Sequence, residues 1–223
     1  IEDGSGNPVE ATGDEQVELF RSVKAGNGRV EIALTDGGTL SAAQVNDLSV
    51  AGTANCYVVS APGTYVFNAR VRGNGAGEGV GFEPAIEMAD GMTADWLWTD
   101  SEGLVSGVAL DTTSGDIFLT VGEGRGNALV ALMQDGKVVW SWHVWVTDAP
   151  QTMTYGNGTV FMDRNLGAAG TTAGGTDAYG MYYQWGRKDP FYGGEKTETS
   201  ANAFLEAKNG TVVNLSLIHI SEP

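Results

Sequence analysis

Cysteine, histidine, proline and basic residues are all scarce in this chain, and each shortage closes off a class of function. Among 223 residues there are one Cys, two His and six Pro, with 12 Lys and Arg against 28 Asp and Glu. A single cysteine, Cys56, excludes an intramolecular disulfide framework, so stability has to come from packing, and it leaves the redox compartment open. The formal charge of −16 would repel phosphate backbones and anionic membrane surfaces, which rules against nucleic-acid partners. Acidity of this kind is ordinarily a solvated surface, and a cation-binding surface is the lesser alternative. Long apolar runs are also missing. None approaches the ~20 residues a membrane-spanning helix needs, so no transmembrane segment is expected. The opening residues IEDGSG carry neither an initiator Met nor a signal-peptide pattern, so the natural start is expected upstream, where an export signal would leave no trace here.

Glycine and alternating hydrophobicity are abundant. The 33 glycines and 42% apolar residues fall as short apolar runs separated by Gly, Asn and Asp without a fixed period, which is turn chemistry and not that of collagen or a linker. From about Arg29 to Met162 the apolar residues recur with period two, predicting strands. The runs are RVEIAL (29–34), ANCYVVS (54–60), TYVFNARVR (64–72), DWLWTD around Trp96 and Trp98, LVSGVAL up to Leu110, DIFLTV (116–121) and NALVALM (127–133). Their short, regular spacing predicts a mainly β fold, an antiparallel Ig-like β-sandwich. Asp135-Gly136 joins NALVALM to KVVWSWHVWVT as a tight hairpin. In that second strand Val138, Trp140, Trp142, Val144 and Val146 are expected on the core face. Val139, Ser141, His143 and Trp145 are expected on a partly covered opposite face, making the strand central in its sheet. Helix is expected over Ser200–Gly210, with weaker candidates at Gln16–Phe20 and Ala42–Asn46.

The pattern breaks at Asp148-Ala149-Pro150, where a domain boundary is placed. The expected organisation is therefore a sandwich over 47–150 and a second, lectin-like α+β domain beginning at 151 and truncated near 214. Residues 1–46 are either the end of a preceding domain or edge strands of the sandwich.

Few constellations carry chemistry. Cys56 and His143 are the one thiol and imidazole outside the chain's last residues, but each falls in an alternating strand pattern. They read as a buried small hydrophobe and as a half-buried, hydrogen-bonded histidine. A zinc site of the usual ligand set is not expected, nor is another cofactor. Glu102, Asp111, Asp116 and Glu123 lie in turns and read as solvated turn chemistry, not as a glycosidase pair. No segment has EF-hand spacing, and the glycine runs at 73–77 and 122–126 lack the Lys-Ser/Thr ending of a phosphate loop. Aromatic residues are the richer signal. Trp96 and Trp98, like Trp140 and Trp142, are expected to share strand faces and fill the core, whereas Tyr179 to Phe191 gathers aromatic, amide and charged groups in one stretch suited to stacking on sugars.

The stretches DLSVAGTANCYVVSAPGTYVFNARVRGNG and GNALVALMQDGKVVWSWHVWVTDAP, followed by VFMDRNLGA and YGMYYQWGRKDPF, resemble a recurring module of fimbrillin-like surface proteins of Bacteroidetes. The likeness covers roughly 47–191. It implies an exported, often lipid-anchored protein of β-sandwich domains at the cell surface. The segment opening Met162-Asp163-Arg164-Asn165-Leu166-Gly167 also resembles the Fibrobacter succinogenes major paralogous domain, related in fold to C-type lectins and formylglycine-generating enzymes. The last nine residues, LSLIHISEP (215–223), resemble one translated frame of a transposon-end sequencing adapter, and His219 with them is set aside from function. A second domain interrupted there is expected to leave apolar faces around Tyr183 and Trp185 uncovered.

These readings lead to a non-catalytic adhesin or fimbria-associated surface protein that binds glycans or other surface and pilus proteins. Asp163, Arg164, Asn165, Tyr182, Trp185, Arg187 and Asp189 form the candidate ligand-binding cluster. For Arg164 and Arg187 the alternative is pairing with a carboxylate to hold loops together. Two other classes remain: a fragment of a surface hydrolase or formylglycine-generating-like enzyme with its active site downstream, and a structural pilus subunit joined by strand exchange.

Overall fold

The computed structural model describes residues 29–32, 41–73, 75, 84–183, 185, 187–191 and 206–207, with side chains described from Val45 to Phe191. The alternating runs become strands: β1 (Arg29–Ile32), β2 (Ser41–Asp47), β3 (Cys56–Val59), β4 (Gly63–Asn68), β5 (Met92–Thr99) and β6 (Val105–Asp111). They continue as β7 (Asp116–Val121), β8 (Gly126–Gln134), β9 (Lys137–Val146), β10 (Thr152–Thr154), β11 (Val160–Met162) and β12 (Glu206–Ala207). One sheet has the order β1-β2-β4-β7-β6 and a second β12-β5-β8-β9-β3, while β10 and β11 pair alone. The fold is mainly β, as expected. Both large sheets are mixed, because β2 runs parallel to β4 and β3 parallel to β9.

Turn chemistry closes the hairpins. Asp135 and Gly136, at φ 51° and 74°, give β8 and β9 the left-handed turn that matches strand twist. Between β6 and β7, Asp111 Oδ1 accepts the backbone N–H of Thr113 at 2.8 Å, the turn role expected of that residue, although it is buried and not solvated.

The inward faces of the two sheets bury one core. Phe67, Ile117 and Leu119 from the first meet Val59, Val130 and Trp142 from the second, each at most 1% exposed. Phe67 links the sheets through its ring, 5.1 Å from Trp142 and 5.0 Å from Tyr57.

Two irregularities shift the expected faces. A bulge moves the β8–β9 register between Leu132 and Met133, so Val139 packs on the core while Val138 is 51% exposed. A second bulge, between Trp96 and Trp98, pairs Trp98 with Leu129, leaving Trp96 against the core and the fully buried Trp98 outside that cluster. The two tryptophans therefore do not share a face: an extra residue in a strand reverses its side-chain phase.

The helix expectations fail where they can be read. Ala42–Asn46 lies inside β2, and Glu206–Ala207, the described part of 200–210, pairs as strand with Thr99 and Trp98. Ladder pairing with neighbouring strands outweighs a short stretch's helix propensity. Gln16–Phe20 lies outside the described residues. Among the described residues no helix is long and apolar enough to cross a membrane.

The outer face of the second sheet is covered as well. Ser141, His143 and Trp145 of β9 are at most 3% exposed, so the strand is central and covered on both sides. Among the described residues, Gly167 to Ala169 and Lys188 to Asp189 contribute to the cover. The Trp145 indole N–H donates to the Ala168 carbonyl at 2.9 Å, and Thr147 Oγ1 donates to Ala169 at 3.1 Å. Lys188 Nζ donates to the Ser141 carbonyl at 2.7 Å.

Candidate functional site

After β11 the chain makes a tight turn through Asp163, Arg164 and Asn165, and then runs under the sheet as Gly167-Ala168-Ala169-Gly170, all buried. Small residues are required there because the backbone lies directly on Trp145 and Asn127. A Cβ on Gly167, at φ 81°, would also collide with Met181. The chain then returns through Thr171–Ala178, and the two passes enclose an open groove of about 630 Å³ lined by residues 160–166, 170–174 and Ala178.

Three of the seven expected site residues, Asp163, Arg164 and Asn165, line this groove. Arg164 is the fixed point. Nε and Nη2 donate to Asp163 at 2.8 and 2.9 Å, Nη1 and Nη2 donate to Asp148 at 3.0 Å each, and Nη1 donates to Thr147 Oγ1 at 2.8 Å. All five guanidinium N–H groups are thereby engaged, and the side chain is 2% exposed, shielded by its partners. With no donor left for a ligand, Arg164 acts as the clamp between β9's end and the groove, the loop-holding alternative considered for it.

The clamp also sets the acid–base state of its neighbours. Hydrogen bonds from Arg164, aided by its charge and that of Arg125, hold the Asp148 carboxyl down at about 2. The same guanidinium holds Asp163 below the usual carboxylate range, and Asp163 and Asp148 in turn raise Arg164. A carboxyl depressed in the folded state contributes stability that is complete above its unfolded value near 3.8 and is lost as pH falls through about 2. Replacing Arg164 by Met is expected to return the Asp148 carboxyl most of the way towards 3.8 in a ¹³C NMR titration. An unchanged Asp148 titration would show that Arg125 alone, 2.7 Å away, sets it.

Asn165 donates Nδ2 to the Ala178 carbonyl at 3.2 Å, which ties the turn to the returning pass of the chain. Leu166, Phe161 and Val160, at 49, 58 and 57% exposed, add an apolar wall that the sequence reading did not name. Among the described residues β10 and β11 pair only with each other, and all six of their residues are exposed.

The other four expected residues lie outside that groove, on a loop closed by the Tyr182–Phe191 bridge, whose two backbone bonds are 3.0 and 2.7 Å. Trp185 is 97% exposed and Tyr182 57%. Arg187 stacks on the Phe191 ring with its guanidinium carbon 4.1 Å from the centroid, so its partner is an aromatic face and not a carboxylate. Asp189 accepts from Ser141 Oγ at 2.7 Å and from Lys188 Nζ at 2.6 Å, and this anchors the loop to the sheet. The loop and the groove are joined through the Met181 N–H, which donates to the Leu166 carbonyl at 2.9 Å.

Cys56 and His143 occupy other positions than expected. Cys56 lies on the outward side of the edge strand β3, and not as a buried hydrophobe, while His143 is fully buried, not half-buried. Parallel pairing sets them opposite one another, with Cys56 Sγ 3.2 Å from His143 Nδ1. The thiol itself is tucked towards the covered imidazole even though the residue is exposed, and this loss of solvent pushes it up to about 12.

Among the described residues no group of three or more His, Cys, Asp or Glu side chains is placed to hold a metal ion. Comparison with protein-family models, with curated proteins and with solved structures finds no match to this chain.

Proposed function

We propose that this chain is part of a non-catalytic, cell-surface adhesin or fimbria-associated protein, outer-membrane anchored, in which a β domain carries a lectin-like segment that binds glycans. The observation that carries the reading is Trp185, an indole 97% exposed between the bridged residues Tyr182 and Phe191. A large aromatic surface left in water gains nothing for the fold, but stacked on the apolar face of a sugar ring it gains both dispersion and burial. Tyr179 and Tyr182, 42 and 57% exposed, add further aromatic surface on the same segment. In the groove, Asn165 and residues 170–174 line the wall and bring polar groups within reach of sugar hydroxyls. The surplus of acidic residues supports a solvated surface and neutral glycans over anionic ones.

Screening the protein on a glycan array tests the proposal. Binding of a defined neutral glycan is expected, with Trp185→Ala weakening it at least tenfold, about 1.4 kcal/mol, at unchanged folding stability. Equal affinity in the variant, or no glycan bound by the folded protein, would overturn the assignment and favour a structural subunit.

A further inference from the structure

The contact between Cys56 and His143 is the visible end of a longer chain of groups. His143 Nε2 lies 2.8 Å from Asn127 Oδ1. Asn127 Nδ2 lies 2.8 Å from Asp100 Oδ2 and 2.9 Å from the Gly167 carbonyl, and the Asn127 backbone N–H donates to the other Asp100 oxygen. Asp100, Asn127 and His143 are all at most 3% exposed.

The partners settle the protons. A carboxylate and a peptide carbonyl only accept, so the Asn127 amide nitrogen must face them and its oxygen must face His143. That oxygen can only accept, so His143 carries its hydrogen on Nε2. The remaining lone pair, on Nδ1, points at the Cys56 sulfur. Burial keeps the imidazole neutral, lowering its titration to about 4 against a smaller opposing effect of Asp189. The arrangement is therefore a thiol facing an unprotonated base whose far side is held by an amide, itself held by a carboxylate. This order, thiol to imidazole to amide, is how a thiol nucleophile is activated for acyl transfer.

We propose that Cys56 is a covalent acylation site, with Cys56 as the nucleophile, His143 as its base, and Asn127 as the residue that fixes the imidazole tautomer. Attack on an activated ester forms the S–C bond while the thiol proton passes to Nδ1. Collapse then breaks the ester C–O bond, and the leaving oxygen takes that proton, which regenerates neutral His143 and leaves a thioester. No oxidant or reductant is required. Cys56 is exposed on β3, the last strand of its sheet among the described residues, apart from the groove, and the proposal does not depend on the glycan-binding reading.

The groups facing the pair set its pH response. Asp100 stands behind Asn127, Asp189 faces His143 and is itself paired with Lys188, and Tyr183 lies close enough to Cys56 to feel its charge. Without help, a thiol titrating at about 12 is ionised to only about one part in 10⁵ at pH 7, and its reaction rate climbs tenfold per pH unit. With His143 as base, the rate instead rises as the imidazole loses its proton and stays level through neutral pH.

Treating the full chain with p-nitrophenyl acetate between pH 5 and 9, followed by peptide mass mapping, reads the outcome. The expected result is a single hydroxylamine-labile acetyl group on Cys56, with a rate level from pH 6 to 8 and lowered about a hundredfold by His143→Gln. The wild-type pH profile needs no variant and holds even if His143→Gln fails to fold. A rate climbing tenfold per unit throughout, or no acetylation of Cys56 in the folded protein, would overturn the proposal and leave the contact as packing alone.

Discussion

Replacing Trp142 by Ala is expected to lower the unfolding free energy by about 3–5 kcal/mol in urea titration at pH 7. The side chain is wholly buried and stands where the two sheets meet, in ring contact with Phe67, so truncation opens a cavity between layers held apart by their own ladders. Collapse into the hole would require the sheets to move together, which their hydrogen-bonded frameworks oppose. One feature works the other way: the indole N–H has no partner among the described residues, so Trp142→Phe removes an unmet donor along with part of the volume and is expected to cost far less than the alanine change. Trp185→Ala, which removes an equal side chain from solvent, is expected to stay within about 0.5 kcal/mol of the parent. If Trp142→Ala costs less than about 1.5 kcal/mol, the ring does not bridge the sheets in solution.

The strands were legible because their signal is local. Asp116–Val121 is a short apolar run bounded by turn residues, and Asp135-Gly136 admits few backbone conformations besides a tight hairpin. What escaped was the phase of two strands, since a bulge is set by how neighbours pair and leaves the alternation of its own sequence almost untouched. Val138 reads as a core residue and Trp98 as a companion of Trp96 until the register is known. The helix assigned to Ala42–Asn46 failed for a related reason: its preference is weak, and pairing with β1 and β4 decides the matter.

The candidate site was half legible. The composition of Asp163 to Asn165 and of Tyr179 to Phe191 marked segments that do form a groove and an exposed aromatic loop. Which residues face a ligand and which hold the loops was not readable, because Arg164 meets Asp148 sixteen residues away and Asp189 meets Ser141 forty-eight away. The thiol–imidazole contact was least accessible. Cys56 and His143 are 87 positions apart, and they meet only because β3 adds to the sheet in parallel with β9, at one register out of several that the alternation permits.

That same contact predicts acid sensitivity well above the range of ordinary carboxylates. In the unfolded chain His143 takes up a proton near pH 6.5, whereas in the folded state burial delays protonation to about 4. Between those values the unfolded state binds the extra proton, so stability is complete above about pH 6.5, falls as the pH drops, and levels off near 4. The difference corresponds to about 3 kcal/mol. Asp189 opposes it by favouring the imidazolium, but its charge is already shared with Lys188 and Ser141. Asp148 and Asp163, being depressed, act only at lower pH. Asp116, raised chiefly by burial, works in the reverse sense by taking up its proton earlier when folded. Urea midpoints at pH 7 and pH 4 are expected to fall steeply for the parent and much less for His143→Gln, which keeps a donor for Asn127 but has nothing to protonate. Equal losses in the two proteins would mean that His143 is already charged in the folded state, and the neutral base facing Cys56 would go with it.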